Sequence, residues 1–313
     1  MSEYRSLRER YSLLEICRQP ELAVAVTLQP VEAIDVDAAI LFSDLLLPFT
    51  PMGLAFDFVK GEGPCIAAPI RHASDVDRVR IVEPRDGLAH VLTTIRLLRP
   101  ALAGRVPLIG FGGAPFTLAA YAIEGGPSTN YATAKAFMYA QPEAWHRLCD
   151  RFATVIADYM RAQVEAGVQA VQIFDSWVGQ LSRTDYREFA LPHTKKIFDA
   201  LADSGVPTIH FGVGTGAILP DMKDAGGDVI GVDWRQGLDE AWTVIGHDRA
   251  IQGNLDPTVL LAPMDRMLGA ADDVLRSAAG RRGHIFNLGH GILPNTSLEN
   301  VQALARHVHG FRL

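Results

Sequence analysis

The sequence predicts an α/β fold, specifically a (β/α)8 TIM barrel with its first strand missing from the chain, and three observations predict it. Seven short apolar runs recur along the chain, as the strands of a parallel sheet do. Amphipathic stretches separate most of them, which implies strands alternating with helices. Almost every run finishes in a polar residue: Asp44, Ser176, His210, Asp233, Asn254 with Asp256, and His290. A barrel gathers all its strand ends around one mouth, whereas an open doubly wound sheet concentrates its chemistry at one switch point.

The chain opens in helix-like sequence over residues 4–17 and then 20–28. The first strand unit is 38–44. Residues 56–67, flanked by Gly53, Gly61, Gly63 and Pro64, read as a hairpin-like excursion between barrel units. Further strands are expected at 106–112, 170–176, 207–212, 229–234, 250–256 and 284–290. The clearest helices are 141–167 and 185–205, each ending in a glycine suited to a C-cap. Seven strands leave a barrel one short. The start therefore reads as lying downstream of a first strand, as though Met1 were a mistaken or truncated beginning.

The 313 residues, 48% hydrophobic and 21% charged, describe a globular chain with a large core and no Ser/Pro/Gly-rich linker, so a single domain over 1–313 is expected. A formal charge of −7 without a basic face argues against a nucleic-acid partner. An acidic ligand would need a local cluster of donors, because the overall field does not attract it. Cys17, Cys65 and Cys149 stand far apart with no C-x-x-C pair, which fits a reducing, cytoplasmic setting and indicates neither disulfides nor a thiolate metal site. No apolar run reaches membrane-spanning length.

Phe42-Ser43-Asp44 puts a carboxylate before the apolar Leu45-Leu46-Leu47-Pro48. Burying it ionised is costly unless cations or N–H groups meet it. Pro48, Pro51 and Gly53 argue against an immediate helix for Asp44 to cap. Tyr121 lies between Gly112-Gly113 and Gly125-Gly126, where a flat ligand could approach the backbone; a core-boundary tyrosine is the competing reading. Ser176 is either a donor to a ligand carboxylate or a helix cap. His290, between two glycines after an apolar run, sits where barrels bind ligands. Gly212-Val213-Gly214-Thr215-Gly216-Ala217, with Asp233 beyond it, satisfies a dinucleotide-type G-x-G-x-x-A. Its position late in the chain makes it a rival reading only.

Taken together, an ordered series of segments resembles the uroporphyrinogen decarboxylase family. They are Pro20-Glu21-Leu22-Ala23, Gln29-Pro30, Phe42-Ser43-Asp44, Gly113-Ala114-Pro115-Phe116-Thr117, Tyr121 to Gly126, Phe174-Asp175-Ser176, Gln252-Gly253-Asn254-Leu255-Asp256-Pro257 and Asn287-Leu288-Gly289-His290-Gly291. The resemblance implies a barrel without cofactor or metal, a homodimer, and removal of carbon dioxide from the four acetate side chains of uroporphyrinogen III to give coproporphyrinogen III. It implies that Asp44 accepts hydrogen bonds from the pyrrole N–H groups and opposes the positive charge of the protonated ring, and that Tyr121, Ser176 and His290 position the ring and its carboxylates. The chain departs from the family at its start. Members begin with a strand and a Met-Arg-Gln-Ala-Gly-Arg segment whose arginines bind substrate carboxylates, and neither is present.

Two alternatives remain. Corrinoid- and zinc-dependent methyltransferases resemble this barrel, but their zinc needs thiolate or imidazole ligands, and no cysteine follows Cys149. A non-catalytic tetrapyrrole-binding protein would keep the pocket without turnover.

Overall fold

A computed structural model describes residues 1–59, 61 and 63–312. Its strands are β1 (Ala39–Ile40), β2 (Phe56–Val59), β3 (Gly63–Ile66), β4 (Leu108–Gly113), β5 (Ala170–Asp175), β6 (Thr208–Gly212), β7 (Val229–Gly231), β8 (Ala250–Leu255) and β9 (His284–Leu288). β2 and β3 form an antiparallel hairpin. This matches the excursion expected at 56–67, two of whose residues, 60 and 62, lie outside the described residues.

The other seven strands form one parallel sheet in the order β1-β4-β5-β6-β7-β8-β9. That order follows the chain without reversal, so there is no switch point of the doubly wound kind. Two contacts show that the sheet curls. Gln252 Nε2 on β8 donates to Gln172 Oε1 on β5 at 3.3 Å, although two strands separate them in the sheet. The last helix, Leu298–Gly310, also reaches the helix Pro20–Ile34, through Gln302 Nε2 to Ala33 O at 2.6 Å. The helical jacket thus closes on itself, while β1 and β9 are the two edge strands of the sheet, with Ile40 (46%) and Ile285 (42%) exposed. The result is a seven-stranded half-barrel.

Strand alternation sends successive side chains to opposite faces. On β4, Gly110 and Gly112 face the helix Pro142–Ala166; a Cβ on Gly112 would stand 3.0 Å from Met160 Cε. Their lack of a side chain lets that helix seat closely. Phe111 between them points inward and meets Phe174 edge-to-face at 5.5 Å, which in turn meets Phe211 at 5.7 Å. The interior is therefore aromatic along three strands and amide-lined at Gln172 and Gln252.

Several element boundaries differ from expectation for identifiable reasons. The first strand spans only Ala39–Ile40: Ala39 and Leu41 donate their N–H groups to Pro107 O and Ile109 O, and on the opposite edge the Phe42 N–H is donated to the Thr27 hydroxyl at 3.0 Å. The opening helix is split into Ser2–Arg10 and Leu13–Arg18, because Ser12 and Glu15 form a capping box that starts a new helix. The helix expected over 185–205 contains a π turn, Tyr186–Ala190, before Leu191–Leu201. Pro192 has no N–H to continue the α-helical ladder. Gly205 is not its C-cap, whereas Gly167, at φ +120°, does end Pro142–Ala166. A one-turn helix, Phe49–Met52, also forms soon after Asp44 despite the prolines, with Pro48 at its N-cap.

Candidate active site

The loops after the parallel strands meet at one rim, and Asp44 stands on it after β1. Its Oδ1 accepts the Leu46 N–H at 2.8 Å, and among the described residues no cation pairs with it. Burial pushes its carboxyl above the usual carboxylate range, with the Leu46 N–H pulling the other way.

Tyr121 belongs to the helix Pro115–Glu124 that follows β4. The hairpin side of the molecule holds the end of this helix. Ile70 N–H donates to Ala122 O at 2.9 Å, Ile66 N–H to Gly125 O at 2.7 Å, and the Arg71 guanidinium to Ile123 O and Glu124 O. Burial raises the Tyr121 hydroxyl first; the Asp44 carboxylate and then Tyr131 raise it further. Asp44 and Tyr121 are therefore electrostatic neighbours. The Tyr121 ring lies against Trp177, centroids 3.7 Å apart, and Trp177 stacks on Tyr131 at 4.5 Å.

Ser176 directly follows β5, half-buried. It does not cap the short helix Val178–Gln180, whose N-cap is Trp177. Its predecessor Asp175 faces the opposite way and is fully buried. Thr117 Oγ1 donates to Asp175 Oδ1 at 2.9 Å and accepts the Trp177 N–H at 3.4 Å, so one hydroxyl fixes residues 175–177. Burial pushes the Asp175 carboxyl up to about 7 against the lowering effect of Thr117.

His290 is exposed, one residue beyond the bend at Gly289. The Gly289 N–H donates to Leu255 O at 2.7 Å, and a Cβ there would stand 2.6 Å from Trp234 N. His290 thus shares the rim with the turn after β7, but no contact joins it to Asp44, Tyr121 or Ser176. Of the four expected site residues, Asp44 and Tyr121 are linked electrostatically, Ser176 precedes Trp177, against which Tyr121 lies, and no hydrogen bond or ring contact joins His290 to the other three.

Other strand-end polar residues serve structure. His210 is fully buried and turned toward the helices, its Nδ1 3.3 Å from Gly226 O and its ring 5.0 Å from that of Phe198; burial lowers it to about 4. Asp256 caps Pro257–Leu261 through the Thr258 N–H at 2.8 Å. In the glycine-rich 212–217 segment, the Gly214 N–H that a phosphate would use is donated to Asp233 Oδ2 at 2.8 Å. A carboxylate already fills that position, and the dinucleotide reading fails there. Among the described residues no three His, Cys, Asp or Glu side chains are grouped to hold a metal ion. A recess of about 580 Å3 beside His146 and His193 lies on the helical jacket and contains none of the four candidates.

The sequence reading left Thr117, Trp177 and Tyr131 without roles. Their signal was positional: Thr117 in the first turn after β4, and Trp177 and Tyr131 flanking segments already singled out.

Fold and rim together define a parallel α/β-barrel protein whose polar groups converge at the strand ends. The uroporphyrinogen decarboxylase family model matches residues 1–311. The chain belongs to the uroporphyrinogen decarboxylase family. It is 55% identical over 309 residues to a uroporphyrinogen decarboxylase of Sorangium cellulosum, covering 99% of this chain and 88% of that protein. It is 53% identical to one of Carboxydothermus hydrogenoformans, covering 99% and 88%. Among solved structures, a methyltransferase from Methanosarcina mazei superposes with TM-score 0.80 at 23% identity, over 95% of this chain and 87% of that one. A putative vitamin-B12-independent methionine synthase from Listeria monocytogenes superposes at TM-score 0.62 and 11% identity, over 99% and 93%. At such identities these two likenesses speak for the fold alone. No described helix is long and apolar enough to cross a membrane.

Proposed function

We propose that this chain decarboxylates the four acetate side chains of uroporphyrinogen III, releasing coproporphyrinogen III and carbon dioxide in haem biosynthesis. One observation carries the reading: in a chain that matches named uroporphyrinogen decarboxylases along its length, the Asp44 carboxylate, whose charge adds to burial in raising the Tyr121 hydroxyl, accepts one backbone N–H and among the described residues pairs with no cation. An unneutralised carboxylate is what a reaction passing through a cation needs. A proton adds to a pyrrole carbon and makes the ring an electron sink. The electrons of the bond between the acetate methylene and its carboxylate flow into the ring as carbon dioxide departs. Protonation of the methylene carbon and loss of the ring proton then give a methyl group and a neutral pyrrole, so each decarboxylation consumes one proton.

In this reading Asp44 accepts the pyrrole N–H groups and opposes the ring's positive charge, an effect on the order of 3 kcal/mol for one well-aimed group. Tyr121, held by Trp177, and Ser176 and His290 position the ring and its carboxylates. The protonated pyrrole is its own electron sink, so neither metal nor prosthetic group is required. The protein acts as a single domain over residues 1–313, as a homodimer, in the cytoplasm.

Anaerobic incubation with uroporphyrinogen III, followed by oxidation and chromatography, tests this. The expected result is successive seven-, six- and five-carboxyl intermediates ending in the four-carboxyl product, from protein that sediments as a dimer. Unchanged eight-carboxyl substrate would contradict it.

A further inference from the structure

We propose that Arg235 is a carboxylate-binding residue of the rim, capturing an acetate or propionate carboxylate of the porphyrinogen; this rests on the decarboxylase reading. The turn after β7 is pinned from both neighbouring strands. From the β6 side, the Gly214 N–H donates to Asp233 Oδ2 at 2.8 Å. From β8, Asn254 Nδ2 donates to Asp233 O at 2.9 Å and to Gln236 O at 2.7 Å. Asp233 and Asn254 are both buried, 3% and 5% exposed. Gly289 packs behind the turn against Trp234 N, so the loop carrying His290 adjoins it.

At the tip of this anchored turn Arg235 is exposed. Its guanidinium Cζ lies 4.3 Å from the centroid of the Trp234 ring, and its Nη1 donates to Asp233. Both contacts are made within the turn. Nε and Nη2 engage no other element among the described residues, so the guanidinium is oriented in advance with donors to spare. An arginine ordered before binding loses less entropy when it meets a carboxylate.

Charge distribution supplies the second argument. A substrate with eight carboxylates approaches a chain of net charge −7, so capture depends on local cations. The described segments that join the seven parallel strands to the next helical turn are 41–48, 114, 176–177, 213–218, 232–237, 256 and 289–297. They contain one Lys or Arg, and it is Arg235.

Steady-state kinetics with uroporphyrinogen III on the wild type, Arg235→Gln and Arg235→Lys, over a range of salt concentrations, test the proposal. Arg235→Gln is expected to raise KM about tenfold, the size of one charge-assisted hydrogen bond at a partly exposed site, while kcat stays within about twofold. Arg235→Lys recovers part of the loss, and the fall of kcat/KM with salt becomes shallower in Arg235→Gln. Unchanged KM and salt dependence in Arg235→Gln, beside an active wild type, overturns the inference and leaves the decarboxylase reading intact. A loss confined to kcat with a lowered melting temperature makes Arg235 structural and also overturns it. An inactive wild type removes the decarboxylase reading and this inference with it.

Discussion

At the scale of single residues, the rim carries two carboxyl groups held above their ordinary range by burial, and they differ in what else meets them. Asp44 has one backbone N–H and the electrostatic company of Tyr121. Asp175 has the Thr117 hydroxyl on Oδ1, while its Oδ2 is buried without a partner. The first is suited to facing a cation, the second to tying β5 to the helix that bears Tyr121. An acid raised by folding binds its proton more tightly in the native state. Its neutral form is therefore stable at low pH, and stability is lost as pH rises from the unfolded value through the folded one. For Asp175 that window runs from 3.8 to about 7. Asp175→Asn, uncharged throughout, should give a melting temperature that falls less than the wild type's between pH 5 and 7.5. Parallel curves in a thermal scan would show that Asp175 is not the titrating group. The sequence pointed to Asp44 through its apolar setting, but it could not reveal which face of β5 Asp175 occupies. That depends on strand register, which a run of buried residues on both faces does not display.

At the scale of elements, all seven parallel strands and the hairpin were legible, because apolar runs punctuated by glycine and polar residues report strands directly. Their ends were less so. The first strand is shorter than expected, and on its outer edge a side chain of another helix, Thr27, takes the N–H of Phe42, a long-range contact with no local signature. The turn after β7 is similar: Asp233 reads as a strand-end carboxylate, yet its role is to hold Gly214 and Arg235, which only the packing of β6, β7 and β8 decides. His210 misled for the same reason, since its strand turns it toward Phe198 and away from the mouth. Gly289 joins two of these elements. Gly289→Ala would drive a Cβ to 2.6 Å from the Trp234 backbone, and rigid backbone cannot yield as a flexible side chain can. An overpacking cost of about 1 to 3 kcal/mol is expected. It should appear as a lower melting temperature together with a raised KM, because the displaced loop carries His290 and abuts Arg235. Wild-type values for both would mean the loop and the turn are not coupled.

At the scale of the whole molecule, sequential strand order, the Gln172–Gln252 contact across the interior and the meeting of the last helix with Pro20–Ile34 all bend the sheet into a half-barrel. That curvature brings residues spread from Asp44 to His290 to one rim. Family membership rests on a match over residues 1–311; the proposed chemistry rests on the rim, and within the rim on Asp44. A buried carboxylate that no cation among the described residues pairs with costs stability, and under the proposed mechanism it would face the developing charge, a pattern common where function opposes stability. The most direct measurement is therefore the anaerobic turnover of uroporphyrinogen III by the wild type and by Asp44→Asn in parallel, with melting temperatures recorded for both. The account predicts at least about a hundredfold loss of kcat in Asp44→Asn, with a melting temperature equal to or above that of the wild type. Wild-type turnover by Asp44→Asn would contradict it.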